Sequence, residues 1–141
     1  MIERQIKSAF NAALAEYSAV VVFGPRQSGK TTLAKMCCDG YNYANLEDKE
    51  TRELAQNDYK AFFRRFPAPL IIDEVQRLPE LLAQVQVLVD ENNKKPGMFV
   101  LTGSQQTELA AAVDESLAGR CCILDLMPLS ISEIAEKASD C

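Results

Sequence analysis

The sequence predicts an α/β fold in which a mostly parallel sheet of five strands carries helices on both faces. Two observations predict it: short apolar runs typical of strands buried on both faces, and stretches of helical period that separate them. A third observation is that no repeat, low-complexity tract or linker divides the 141 residues. We therefore expect residues 1–141 to form a single domain.

The first elements follow from apolar periodicity and from glycine. Apolar residues at every fourth position predict an amphipathic helix from Ile2 to Ala15. The β-branched run from Ala19 to Phe23 predicts a buried strand, which Gly24 ends. A second helix is expected to begin near Gly29 and to stop before Asp39.

The middle of the chain predicts a strand within Tyr41–Asp48 and then helical structure down to about Phe66. Either Asp48 or Thr51 can cap that helix, because both side chains accept hydrogen bonds from free backbone N–H groups. The remaining elements follow in chain order: a strand at Leu70–Glu74, a helix with Pro79 in its first turn, a strand at Met98–Ser104, a helix at Gln106–Ala118 closed by Gly119, a strand at Cys121–Leu126, and a helix from about Ser130.

Composition and charge argue against several classes of function. The net charge of −5 disfavours long-range attraction of nucleic acid. No apolar run approaches the ~18 residues that a membrane span needs, and the N-terminus lacks the apolar core of a signal peptide. We therefore expect a cytoplasmic protein without a membrane segment, and this domain does not indicate nucleic acid as a partner.

The absence of histidine and the spacing of the cysteines argue against further kinds of catalytic and metal site. Histidine is absent, which excludes the catalytic triads, general bases and zinc sites that depend on it. The five cysteines form two adjacent pairs and one terminal residue, without the spacing of a metal site. We expect reduced and mostly buried thiols, as is usual in the cytosol.

A phosphate-binding loop is the most specific motif in the chain. Residues 24–31 read GPRQSGKT, which fits the pattern G-x-x-x-x-G-K-[ST] at every fixed position, after an apolar strand and before a helix-compatible stretch. The backbone N–H groups of such a loop surround phosphate oxygens at the positive end of the helix. The predicted nucleotide-binding residues are Gly24, Gln27, Ser28, Gly29, Lys30, Thr31 and Thr32.

Two side chains of this loop have individual roles in the prediction. The Lys30 ammonium is expected to reach the β- and γ-phosphates and to assist catalysis, while the Thr31 hydroxyl ligates Mg²⁺. ATP and Mg²⁺ are therefore the predicted cofactors, and ADP is the expected product.

Two adjacent acids distinguish an ATPase from a passive phosphate loop. Asp73 and Glu74 end the third predicted strand, where open α/β sheets bind their ligands. Asp73 is expected to hold the hydration shell of Mg²⁺ as a Walker B acid, and Glu74 to orient and deprotonate the attacking water. The base-reading motif of GTPases is missing, and small-molecule kinases usually need no second acid at this place.

Ser104 and Arg120 are candidate site residues, and the sequence is compatible with two roles for each of them. Ser104 ends the strand at Met98–Ser104, where it either senses the γ-phosphate or caps the following helix. Arg120 precedes the last strand, where it either reaches a neighbouring subunit's nucleotide as an arginine finger or forms a surface ion pair. The finger reading implies a homo-oligomer.

Three functions are compatible with these motifs. The leading hypothesis is a Mg²⁺-dependent ATPase core whose nucleotide state drives an attached or partner module. The alternative is a nucleotide-gated interaction or sensor domain that binds ATP and hydrolyses little of it. A small-molecule phosphotransferase is the third.

Several segments together resemble one known family. GPRQSGKTTL, YNYANLED, LIIDEVQRLPEL, VLTGSQQTEL and SLAGRCCILDLMPLSISE, in this order, are similar to the AAA-family ATP-binding domain of bacterial and archaeal proteins that carry a C-terminal domain of unknown function. The resemblance covers nearly the whole chain. It implies a three-layer P-loop NTPase core of the RecA/AAA+ type, with strand order 5-1-4-3-2.

The resemblance also implies roles for individual residues and a second domain after this one. Lys30 and Thr31 correspond to the Walker A residues, Asp73 and Glu74 to Walker B, Ser104 to sensor 1 and Arg120 to the finger position. Members of the family continue into the second domain, so this chain is expected to be an N-terminal fragment. That domain, or a protein in its place, is the expected partner.

Overall fold

Helices and strands alternate along the chain, as the apolar runs predict. A computed structural model describes residues 2–24, 30–38, 40–93, 95–104, 107–117, 119 and 121–125. These residues form α1 (Ile2–Glu16), β1 (Ala19–Phe23), α2 (Lys30–Cys37), β2 (Asn42–Asn45), α3 (Lys49–Asn57), α4 (Tyr59–Arg65), β3 (Leu70–Asp73), a 3₁₀ turn (Val75–Arg77), α5 (Leu81–Glu91), β4 (Phe99–Gly103), α6 (Thr107–Leu117) and β5 (Cys121–Asp125).

The strands of the described residues pair in parallel throughout, in the order β2-β3-β4-β1-β5. Read from the other edge, this is the predicted order 5-1-4-3-2, which is confirmed. β1 lies between β4 and β5, and its Ala19 is opposite both Phe99 and Cys121. Because all strands run the same way, their carboxyl ends meet at one end of the sheet.

The two faces of the sheet bury separate apolar clusters, which confirms the predicted three-layer α/β class. On β1, Val20 and Val22 pack with residues of α1 and α2, such as Phe10 and Leu33. The alternate side chains of β1 point to the other face, where α3, α4, α5 and α6 contribute buried residues such as Phe62. This alternation is what a pleated strand covered on both faces requires.

The helical region after β2 differs from the single stretch that the sequence predicts. Asp58 divides it, because its backbone (φ −150°, ψ 79°) leaves the helical region while its carboxylate accepts a hydrogen bond from the Ala61 N–H at 3.1 Å. Of the two candidate caps, Asp48 is the one used, accepting from the Thr51 N–H at 3.0 Å. Pro79 precedes α5, which begins at Leu81, rather than lying in its first turn.

The cysteines correct one expectation. Cys38 is a buried thiol outside any disulfide, and Cys121 is a half-buried thiol whose pKa is raised by burial to about 11. Cys122 is disulfide-bonded, so the expectation of reduced thiols is wrong at this position. The helix expected from Ser130 lies outside the described residues, and no described helix has the length and apolarity to cross a membrane.

Gly97 offers a test of the packing between α1 and the turn before β4. Its φ is +72°, and a Cβ there would lie 3.0 Å from the Tyr41 hydroxyl oxygen and 3.3 Å from the Leu14 carbonyl oxygen. Gly40 has a similar φ of +83° but no atom within 4 Å of that position. Gly40→Ala is expected to lower the free energy of unfolding by about 1 kcal/mol through backbone strain alone.

Gly97→Ala should cost about 1–2 kcal/mol more than Gly40→Ala, because the new methyl group also displaces the Tyr41 hydroxyl. That hydroxyl donates to the Gly97 carbonyl oxygen at 2.6 Å. Urea unfolding of both variants and the parent measures the difference. Equal losses in the two variants would contradict this account of the contact.

Candidate functional site

Polar groups converge at the carboxyl ends of β1, β3 and β4. Gly24 directly follows β1, and its N–H donates to the Gly103 carbonyl oxygen at 3.1 Å, which joins the ends of β1 and β4. Asp73 is the last residue of β3, and α2 begins near this end of the sheet at Lys30. This is the end at which open parallel sheets bind ligands, next to the strand where the order reverses.

The Asp73 carboxylate is the centre of this group. The Thr31 hydroxyl lies 2.9 Å and 3.0 Å from its two oxygens, and the Tyr43 hydroxyl donates to Oδ2 at 2.6 Å. The Thr102 hydroxyl donates to Oδ1. Asp73 is only 4% exposed, and three hydroxyl donors from three elements compensate for its removal from water.

Strand register explains why these residues meet. Tyr43 is opposite Ile71, and Asp73 follows Ile71 by two residues, so all three point to the same face of the sheet. Thr102 is opposite Val22, on the face that α1 and α2 cover. The helix that carries Thr31 packs on that same face, which brings its first turn above the carboxylate.

Glu74 leaves the strand in an unusual conformation. Its backbone is left-handed (φ 59°, ψ 49°), and its N–H donates to the Thr102 hydroxyl oxygen at 3.1 Å. The side chain is 8% exposed, and its Oε2 accepts a hydrogen bond from Gln76 Nε2 at 2.6 Å. A non-glycine residue in this region costs about 1 kcal/mol or more, and such strain is typical of functional sites.

Tyr43, which donates to Asp73, also contacts Lys35. Burial raises the pKa of the Tyr43 hydroxyl above its usual value, and the hydrogen bond to Asp73 raises it further. The phenol therefore stays protonated and able to donate. The Lys35 ammonium, one turn after Thr31 on α2, lies 4.2 Å from the centre of the Tyr43 ring, so that a cation covers the ring face.

The donor set suits magnesium. A carboxylate and a hydroxyl are the oxygen ligands that this cation prefers, and it usually keeps several waters besides. The direct contact between Thr31 and Asp73 brings both oxygen types to one point. The residues present therefore fit the predicted ion.

The family model of the AAA domain matches residues 16–135, a span that contains the strands and the residues around Asp73. The chain belongs to the AAA domain family. Members of this family bind nucleotides and are ATPase-like, so that nucleotide binding is the general function of this domain.

Two proteins are similar to this AAA domain over almost its whole length. They are the uncharacterized protein Mb2031c of Mycobacterium bovis and the uncharacterized protein Rv2008c of Mycobacterium tuberculosis, each 30% identical over 142 residues. The match covers 99% of this chain and 32% of each relative. The chain thus spans about a third of the length of these relatives.

Several predicted site residues of the AAA domain lie within the described structure. Thr31 and Asp73 are in contact, and Glu74 and Ser104 both contact Gln76, which joins the ends of β3 and β4. Thr32 is exposed. Lys30 is the first residue of α2, and its side chain lies outside what the structure describes, as do Gln27, Ser28, Gly29 and Arg120.

Three side chains of this site did not emerge from the sequence: Tyr43, Thr102 and Gln76. Thr102 carries a signal, since it is a polar residue within an otherwise apolar buried strand. Tyr43 carries none, because only the register between β2 and β3 brings it to Asp73. Gln76 carries none either, because its contacts depend on the turn after Glu74.

Proposed function

We propose that this AAA domain is the core of an ATPase that binds Mg-ATP at the carboxyl ends of β1 and β3 and hydrolyses it with Glu74 as the general base. One observation carries the proposal. The first turn of α2, which follows the phosphate-loop sequence, is joined through Thr31 to the buried carboxylate of Asp73. This contact supports assigning the phosphate-loop motif and the acid pair to one site.

Binding is assigned to the loop and to the start of α2. The backbone N–H groups from Ser28 to Thr32 are proposed to donate hydrogen bonds to the phosphate oxygens, aided by the positive end of the helix. The Lys30 ammonium neutralises charge on the β- and γ-phosphates. Gln27, Ser28 and Gly29 belong to this proposal through their places in the motif.

Thr31 and Asp73 are proposed to hold the metal, the hydroxyl directly and the carboxylate through its hydration shell. When bound there, Mg²⁺ would supply positive charge that offsets the negative charge developing on the phosphates during transfer. Tyr43 and Thr102 keep the Asp73 carboxylate oriented, since each donates to a different oxygen of it.

Glu74 is proposed to orient a water and to take its proton as the water oxygen attacks the γ-phosphorus and the bond to the β–γ bridging oxygen breaks. The products are ADP and phosphate, and Glu74 then returns the proton to solvent. Glu74 is adjacent to Asp73, so its carboxylate can lie near the γ-phosphate. Ser104, at the end of β4, is proposed to sense that phosphate.

ATP turnover is also proposed to have an effect outside this domain. We propose that the nucleotide state acts on an attached or partner module in the cytoplasm, since the relatives are about three times as long as this chain. Arg120 as a finger in a homo-oligomer stays a prediction, because it lies outside the described residues.

Lys30→Ala is expected to weaken Mg-ATP binding by about 10- to 100-fold. The loss of a charged hydrogen-bond donor to phosphate accounts for this range. Isothermal titration calorimetry of the parent and the variant measures the two dissociation constants. Lys49→Ala is the matched control, because Lys49 is likewise the first residue of its helix but is exposed on α3.

Unchanged affinity in Lys30→Ala, or no heat from Mg-ATP with the parent, would contradict the proposed site. Phosphate release measured on the same samples separates the two main hypotheses. Binding without turnover, even with a partner present, would favour a nucleotide-gated sensor domain over an ATPase.

A further inference from the structure

Gln76 uses both ends of its side-chain amide within the candidate site. Its Nε2 donates to Glu74 Oε2 at 2.6 Å, and its Oε1 accepts from the Ser104 backbone N–H at 3.2 Å. The orientation of the amide follows from chemistry. A backbone N–H can only donate and an ionised carboxylate can only accept, so the oxygen must face Ser104 and the nitrogen must face Glu74.

Glu74 is thereby held at two points. Its backbone N–H is bound to the Thr102 hydroxyl of β4, and its carboxylate is bound to Gln76. The left-handed backbone of Glu74 starts the 3₁₀ turn, which directs Gln76 back toward the end of β4. The amide of Gln76 therefore connects the acid after β3 to the backbone after β4.

We propose that Gln76 is a positioning residue that orients the Glu74 carboxylate for catalysis and couples that orientation to the segment at Ser104. The inference rests on the proposed function, since it assigns a task to the same general base. Ser104 is the residue expected to sense the γ-phosphate, so a shift of its backbone reaches Glu74 through one side chain. Nucleotide state and the position of the base are then linked.

Kinetic measurements should distinguish a loss of Glu74 positioning from a loss of folding in the Gln76 variants. Gln76→Ala removes the amide that binds the Glu74 carboxylate and is expected to lower kcat by about 10- to 100-fold, because small misplacements of a catalytic group carry penalties of this size. The dissociation constant for a non-hydrolysable Mg-ATP analogue should stay within about twofold, because no phosphate contact is assigned to Gln76.

A nearly isosteric variant tests the hydrogen bond itself. Gln76→Glu keeps the acceptor for Ser104 but faces Glu74 with a second carboxylate, so its kcat should fall at least as far as that of Gln76→Ala. Gln56→Ala, on the exposed side of α3, is the glutamine control and should retain the parent kcat.

A double variant tests whether Gln76 acts through Glu74. In a Glu74→Gln background, Gln76→Ala should lower the residual rate no further, because the group that it positions is already gone. A second full loss in the double variant would overturn the inference.

The side-chain amide resonance of Gln76 gives a readout that does not depend on turnover. It is identified by its loss in Gln76→Glu, and one Nε2 proton should lie downfield in the parent and move back in Glu74→Ala. An unmoved resonance would overturn the inference, as would parent kcat in both single Gln76 variants while Glu74→Gln is inactive. Parent turnover in Glu74→Gln would instead overturn the proposed function.

Discussion

Glu74→Gln is expected to lower ATP turnover by about 10²- to 10³-fold, the usual contribution of a positioned general base. The amide has nearly the same size and can still accept the Gln76 hydrogen bond through its oxygen, but it cannot take a proton from water. Binding of Mg-ATP should remain within about twofold of the parent, because no phosphate contact is assigned to Glu74. Single-turnover phosphate release and calorimetry on the same preparations measure both quantities.

Glu80→Gln is the matched control for this substitution. Glu80 is an exposed glutamate just before α5, outside the candidate site, and its loss should leave the rate unchanged. Phosphate release at the parent rate in Glu74→Gln would show that another group activates the water. Equal losses of rate and affinity would show instead that the variant had damaged the nucleotide site.

Asp73→Asn should have the second large effect, on the requirement for magnesium. Replacing the carboxylate by a neutral amide removes the charge that attracts the hydrated ion, and such substitutions typically weaken metal-dependent activity by 10- to 100-fold. The Mg²⁺ concentration for half-maximal turnover is therefore expected to rise by about that factor. A titration of turnover with MgCl₂ at saturating ATP measures it.

The same variant should also be less stable without nucleotide. Tyr43 and Thr102 donate to different oxygens of Asp73, and an asparagine offers only one oxygen, so one of these donors must face an NH₂ group. Leaving a buried donor unsatisfied costs about 1–3 kcal/mol in the free energy of unfolding. Asp58→Asn is the control, because asparagine replaces aspartate well at a helix N-cap. An unchanged Mg²⁺ requirement would exclude Asp73 from the metal site.

Much of the fold could be predicted because its signals are local. The apolar runs at Ala19–Phe23 and Leu70–Asp73 have the composition of strands covered on both faces, and both are fully buried in the structure. The strand order came with the resemblance to the AAA family rather than from periodicity. The break at Asp58 escaped prediction because the flanking residues are compatible with helix, and only the side chain's capping bond divides them.

Part of the candidate site could be proposed from the sequence for the same reason. Gly24, Lys30 and Thr31 belong to a contiguous motif, and the pair Asp73-Glu74 ends a recognisable strand. Tyr43 and Gln76 were missed because no local pattern distinguishes a tyrosine or a glutamine that reaches a carboxylate from one that faces water.

The sequence alone was enough to predict the five strands and the five helical regions between and before them approximately, together with the phosphate-loop motif and the acid pair, because each depends on residues close together along the chain. Which side chains bind those acids follows only from the tertiary structure. Thr31, Tyr43 and Thr102 are separated from Asp73 by 42, 30 and 29 positions, and only parallel strand pairing and the packing of α2 bring them to it. Contacts of that separation depend on the register of the whole sheet, which no short stretch of residues encodes.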